Sequence, residues 1–265
     1  HRMSLISLKD KVTRNNHPLS LHAMSDLVKS NCPSKGNVHV LVCVEDEFPV
    51  APVAAALARS FPLFDKKTSK KKSKEEEDGE ESKEEEGDGE RTVHVTFLDG
   101  DGRVVKSDLE MQAAKAAADG VRLACRLVDT HPEELTTTAY AQEVRELFES
   151  DDTVTIEEIV GEELQEKGYG GMYNVGKGAT EPPRLMILTY NPPKDVHTDE
   201  NKDASAITLV GKGIVYDTGG LAIKSRPGMC GMKHDMGGSA GVLGGFKAAV
   251  ELRTPRKIRL MLCLV

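Results

Sequence analysis

Four charged residues stand at short intervals near the end of the chain: Lys212, Asp217, Lys224 and Asp235, spaced by five, seven and eleven positions. Two carboxylates with no paired cysteines nearby suit hard or borderline dications such as Mg, Mn or Zn. A lysine can join them as a ligand only as the neutral amine, which requires a depressed pKa of the kind that burial and neighbouring cations supply. A second, charged lysine can stabilise a developing oxyanion. Each aspartate is followed after one residue by a glycine pair, Gly219-Gly220 and Gly237-Gly238. Glycine permits sharp turns and close backbone approach, so two separate segments can bring their carboxylates into one pocket. On composition alone a plainer reading competes: two Lys and two Asp are unremarkable in such a window and can be ordinary ion pairs at strand ends.

Weaker signals surround this set. His234 adjoins Asp235, but neighbouring side chains of an extended segment point apart, so a solvent-facing or supporting role fits it better than ligation. GYGGMYNVGKG, Gly168–Gly178, has the glycine content of a phosphate-cradling loop, and nucleotide binding there is a rival reading. It lacks the Gly-Lys-Ser/Thr ending of a P-loop.

The elements that must position these residues are legible in outline. NVHVLVCV, Asn37–Val44, is β-branched and apolar and reads as a buried strand, followed by a helix over Pro52–Phe64. Thr92–Leu98 reads as a strand, DGDG at Asp99–Gly102 as a hairpin turn, and Val104-Val105 as the start of a return strand. Ser107 and Glu110 have capping-box spacing at the head of a helix over Asp108–Val128, and a second helix covers Ala139–Phe148. Thr153–Ile156 is expected as a strand, Glu157–Lys167 as a helix stopped by Gly168, and Arg184–Tyr190 as a strand. Asp195–Ala204 is expected as a surface loop. Ala206–Asp217 follows as a strand ending at Asp217, then a helix over Gly238–Leu252 and a strand over Lys257–Val265. This alternation argues for α/β architecture with a largely parallel sheet, whose functional groups gather at the carboxyl ends of strands.

Between the first two strands the composition breaks. Lys66–Glu90 holds seven Lys and eleven Asp/Glu and no large apolar side chain. Such a segment cannot bury enough surface to offset its ordering entropy and is expected to be a disordered insertion, affecting partners or solubility rather than catalysis. Its adjacent acidic block would compete with any phosphate for the lysines. With a net charge of −8 and no Trp, a nucleic-acid role is disfavoured. Five dispersed cysteines without CxxC spacing fit reduced thiols, hence a cytoplasmic location. No apolar run reaches the length of a membrane span.

VGKGIVYDTGGLAIK and GMKHDMGGSAGVLGGF together resemble the core of the leucyl aminopeptidase family, the hexameric two-metal aminopeptidases. RLACRLVDTHPEELTTTAYAQ from Arg122 and GYGGMYNVGKGATEPPRLMILTY from Gly168 extend the likeness, which covers about residues 113–265. The spacing of all four charged residues matches. IVYDTGGL departs from the commoner Phe-Asp-Ser-Gly-Gly form and is similar to the eukaryotic probable-aminopeptidase branch. The resemblance implies an N-terminal α/β domain over 1–107 and, over 108–265, the first part of a mixed-sheet α/β catalytic domain. It implies Lys212, Asp217 and Asp235 as ligands of two Zn or Mn ions, with Asp217 bridging and Asp235 on the metal that Lys212 holds. Lys224 would polarise the scissile carbonyl while a metal-activated hydroxide attacks it. Peptide substrates and a homohexamer follow from the same likeness. Its alternative is a non-catalytic scaffold or DNA-binding member of the fold.

One departure bears on activity. The family's later Asp-x-Glu-x-Arg motif, which supplies further ligands and the arginine for a bicarbonate ion, does not occur in the thirty residues after Asp235. The closing strand, KIRLMLCLV, is expected inside a sheet whose neighbouring strands are missing, with an unpaired edge. Two dications on two Asp and one amine are under-neutralised. The chain alone is therefore predicted to bind metal weakly and to show negligible peptidase activity. Isothermal titration checks this, and tight uptake of two Mn or Zn ions contradicts it.

Overall fold

The computed structural model describes residues 3–8, 19–33, 36–45, 49–62, 92–196 and 205–265. The charged segment 66–90 lies outside the described residues, as does most of the polar stretch expected as a loop after Asp195. The chain divides into two compact units, 1–118 and 119–265.

In the first unit, β1 (Val38–Cys43) pairs in parallel with β2 (Val93–Leu98). Helices α1 (Leu21–Asn31) and α2 (Val50–Ser60) pack together, with Ser25 and Ser60 sharing a buried hydroxyl contact of 3.0 Å. The core gathers Val28, Val53, Leu57 and Phe97. The DGDG turn forms, closed by Asp99 Oδ1 accepting the amides of Asp101 and Arg103. The return strand does not. Val104 makes a single bridge to Leu98, because α3 (Asp108–Asp129) starts too soon after it. The Glu110 amide donates to Ser107 Oγ at 3.4 Å, so the expected cap is present.

The second unit is a mixed sheet. Its order is β3 (Val154–Val160), β4 (Arg184–Tyr190), β6 (Ile258–Leu264), β5 (Ile207–Gly213). Only β5–β6 is parallel; β3–β4 and β4–β6 are antiparallel, so the largely parallel sheet read from alternation is corrected. The helices at Glu162–Glu166 and Gly170–Gly176 connect the antiparallel β3 and β4, so a helix between two strands is not always a parallel crossover.

Alternation along the strands builds two faces. Met186, Leu188 and Tyr190 with Leu260, Leu262 and Leu264 face a core completed by Leu127 of α3, by Tyr140 and Val144 of α4 (Thr137–Phe148), and by Leu243 and Phe246 of α8 (Gly237–Glu251). Leu185 and the half-buried Ile187, Met261 and Cys263 belong to the other face, over Leu164 of α5 (Glu162–Glu166) and Met172 and Tyr173 of α6 (Gly170–Gly176). Burial there pushes the Cys263 thiol up.

Three further expectations change. Glu157–Val160 is strand, not the start of a helix, and only Glu162–Glu166 is helical. Glu158 accepts from Arg184 at 2.6 Å and Arg145 at 2.9 Å, so the sheet compensates a charge that the sequence pattern had assigned to a helix surface. The glycine-rich stretch from Gly168 contains α6, packed beneath the sheet, which removes the loop that the nucleotide-binding reading needs. β6 does lie inside the sheet, but the chain itself supplies both neighbours, β4 and β5. The edge strands are β3 and β5, and on β5 Ile207 and Val210 are exposed.

Helices α3 and α8 cross through a pair of glycines. A Cβ on Gly120 would stand 2.6 Å from the Gly244 carbonyl oxygen, and one on Gly244 would stand 2.4 Å from that of Gly120. Backbone atoms on both sides leave no flexible side chain to yield. Gly120→Ala, despite its better helix propensity, is predicted to destabilise by about 1–3 kcal/mol, read as a lower midpoint in urea unfolding; an unchanged or higher midpoint contradicts the crossing.

Candidate metal centre

β5 carries Lys212 near its end, and the site grows from how α8 meets that strand. A Cβ on Gly211 would fall 2.5 Å from Ser239 Cα, and one on Gly238 would fall 3.2 Å from the Lys212 amide nitrogen. Glycine at 211 makes this approach possible, and glycine at 238 spares it a tight contact. Ser239 locks it: its hydroxyl donates to the Met236 carbonyl at 2.7 Å and accepts from Tyr140 at 3.1 Å. Burial raises the Tyr140 phenol pKa, which keeps that donor protonated. Asp235 closes the short 3-10 turn Met232–His234, one residue before α8's N-cap Met236. It is thereby set beside Lys212, with Lys212 Nζ 3.0 Å from its Oδ1.

Asp217 is not at a strand end. β5 stops at Gly213, and residues 214–225 form an irregular loop held by its own turns and followed by the short helix α7 (Arg226–Met229). Asp217 Oδ1 accepts the Gly219 amide at 2.9 Å, Thr218 Oγ1 accepts the Gly220 amide at 3.2 Å, and the Thr218 carbonyl accepts the Lys224 amide at 2.9 Å. These are side-chain-to-backbone turns of the kind Asp and Thr form readily. They return the chain so that Lys224 Nζ donates to Asp217 Oδ2 at 2.5 Å. Gly219 has φ +85°, and a Cβ there would strike the Ala222 carbonyl at 2.4 Å. That answers why a glycine follows this aspartate.

The structure therefore brings the four residues together as two ion pairs, Lys212–Asp235 and Lys224–Asp217. The Lys224 hydrogen bond chiefly holds the Asp217 carboxyl below its usual range, helped by the Gly219 amide and by the charges of Lys224 and Lys212. The burial invoked for Lys212 is not found: its side chain is 60% exposed. His234 is exposed, as its solvent-facing reading expects.

Among the described residues no group of three or more His, Cys, Asp and Glu converges. The donor set for a metal is two carboxylates and one amine. It fits a dication on one further observation: Asp235 Oδ2 is buried and has no hydrogen-bond partner. A buried carboxylate oxygen without a donor is costly, and a cation would satisfy it. Beside the set lies an open cleft of about 470 Å³ lined by Tyr216, Lys224, Arg226, Met229 and Lys233. Met232 Sδ sits 3.4 Å from Lys224 Nζ, and Lys233 donates to the Asp129 carbonyl at 2.7 Å. Residue spacing gave no sign of these neighbours, because they depend on the path of an irregular loop.

The turn around Asp217 makes a graded prediction. Gly220 has φ +62° but open space around a Cβ. Gly220→Ala should cost about 1 kcal/mol from the left-handed backbone alone, and Gly219→Ala distinctly more. Thermal unfolding of the two variants decides it, and equal losses would contradict the turn described.

The model of the cytosol aminopeptidase family catalytic domain matches residues 122–265. The chain is 37% identical over 265 residues to the mouse Probable aminopeptidase NPEPL1, covering 98% of this chain and 45% of that protein. The structure of Caenorhabditis elegans leucine aminopeptidase (LAP1) superposes with a TM-score of 0.76 at 31% identity, over 98% of this chain and 47% of that one. The bottromycin maturation enzyme BotP, in complex with Mn, superposes at 0.61 and 27% identity, over 92% and 47% of the two chains. The chain thus spans about half the length of the relatives it matches. On the family match over its second unit, this chain belongs to the cytosol aminopeptidase (M17) family.

Proposed function

We propose that the chain carries the first metal-binding segments of a metal-dependent aminopeptidase that releases N-terminal residues from peptides. The observation that supports this most is the two ion pairs Lys212–Asp235 and Lys224–Asp217 with the unsatisfied Asp235 Oδ2. Residues 1–107 would be an N-terminal α/β domain and 108–265 the start of the catalytic one. The whole protein would be cytoplasmic and a homohexamer; among the described residues, no helix is long and apolar enough to cross a membrane.

Lys212, Asp217 and Asp235 would hold divalent Mn or Zn. When bound, such ions supply Lewis-acid activation of water and an anchor for the substrate's free amine. The protein's own share is positional. The Gly219 amide and Lys224 keep Asp217 ionised and ready to ligate. Lys224 lines the cleft, where its ammonium can polarise the carbonyl of the bond to be cut. Met232 Sδ accepts a 3.4 Å contact from the same ammonium. Lys212 must surrender a proton to ligate, so metal uptake would displace the Lys212–Asp235 pair and release that proton.

The test is made on the full product of the gene. It should release free amino acids from short peptides and stop when chelator is added. Lys224→Ala should lower kcat by about 10²–10³-fold with metal content unchanged, whereas Asp217→Asn should lose metal. A product that binds metal but cleaves no peptide would instead favour the scaffold reading.

A further inference from the structure

The two-stranded sheet of the first unit sets a pair of histidines side by side. His39 of β1 and His94 of β2 are register partners, and both are exposed. Along β1 the half-buried Val38, Val40 and Val42 alternate with the exposed His39, Leu41 and Cys43, so the histidines share the outward face. Their ring centroids are 6.0 Å apart, with planes inclined by 62°. A metal–imidazole bond of about 2.1 Å puts the ring centre roughly 3.2 Å from the ion, so two rings on one ion stand roughly 5–6.5 Å apart. The observed spacing lies in that window.

One tautomer of His39 suits ligation. His39 Nε2 is 2.9 Å from Thr96 Oγ1. With Nε2–H donating to that hydroxyl, Nδ1 keeps its lone pair, the arrangement by which metal-binding imidazoles are usually oriented. No hydrogen bond engages the His94 ring among the described residues.

We propose that His39 and His94 form a cross-strand site for a borderline divalent transition ion of the Zn, Ni or Cu class. Imidazole suits these ions, whereas Mg and Mn prefer oxygen. No third His, Cys, Asp or Glu converges on the pair among the described residues, so water completes the coordination. The site stands on β1 and β2 alone and does not depend on the aminopeptidase reading. Its consequence is mechanical. The strands are joined by residues 44–92, which include the charged segment 66–90. An ion across them closes that long connection, and a two-stranded sheet is the kind of element such a clip helps most.

The test titrates Zn²⁺ into the 265-residue chain and follows the imidazole ¹⁵N resonances and the melting temperature. The expected result is a saturable shift at His39 and His94 with a rise in Tm, as binding to the folded state alone requires. His94→Asn should abolish the saturable shift at His39 and reduce the rise in Tm, and Thr96→Val should weaken affinity at the pair about 10–100-fold. His39→Gln serves as a second variant on the partner strand should His94→Asn fail to fold. Shifts confined to His22, His131 or His234 overturn the proposal. So does a saturable signal that survives His94→Asn or His39→Gln and vanishes when residues 66–90 are deleted.

Discussion

The contact between β5 and the first turn of α8 is the constraint on which the site depends. Gly211 and Gly238 remove the side chains that would hold strand and helix apart, and the Ser239–Tyr140 hydrogen bond fixes the distance they allow. Lys212 and Asp235 lie on opposite sides of that contact and come within 3.0 Å of each other because of it. A larger residue at either glycine would move the helix start and, with it, one of the two carboxylates. The same helix meets α3 through Gly120 and Gly244, so α8 is seated by glycine at both its strand and its helix neighbours.

Each carboxylate of the site is neutralised by a lysine, Asp217 across the loop turn and Asp235 across the strand–helix contact. That arrangement lets two acids and two bases share a small region without large electrostatic cost. It also leaves one oxygen, Asp235 Oδ2, buried and unsatisfied, and one lysine, Lys212, largely in solvent. A dication would exchange the Lys212–Asp235 contact for ligation by both residues. On the proposed function, the ion pairs would be the metal-free form of the site. Residues of the remaining half of an M17 protein would have to add the further negative charge that two dications need.

Much of this was legible in the sequence, for physical reasons that differ by element. Arg184–Tyr190 and the closing strand were read from apolar content alone, since both are buried on two faces. Helices α3 and α4 follow from their caps and small apolar residues. Glu157 and Glu158 were misread because a pair of glutamates looks solvent-facing until Arg145 and Arg184 are seen to pair with Glu158. Strand directions were misjudged because a helix between two strands does not by itself make them parallel. At the site, the four charged residues were found by spacing and family resemblance. Their pairing, the loop position of Asp217 and the contact of Met232 with Lys224 were not, since an irregular loop leaves no periodicity to read.

The central claim is that Lys212, Asp217 and Asp235 share a divalent ion. The most direct measurement is paramagnetic broadening of backbone amide resonances as Mn²⁺ is added to this chain, which registers even weak binding. The account predicts that signals of Lys212–Gly213, Asp217–Gly219 and Asp235–Gly237 broaden first and together, and that Asp235→Asn abolishes the effect. Broadening that spares these three segments, or that persists unchanged in Asp235→Asn, would contradict it.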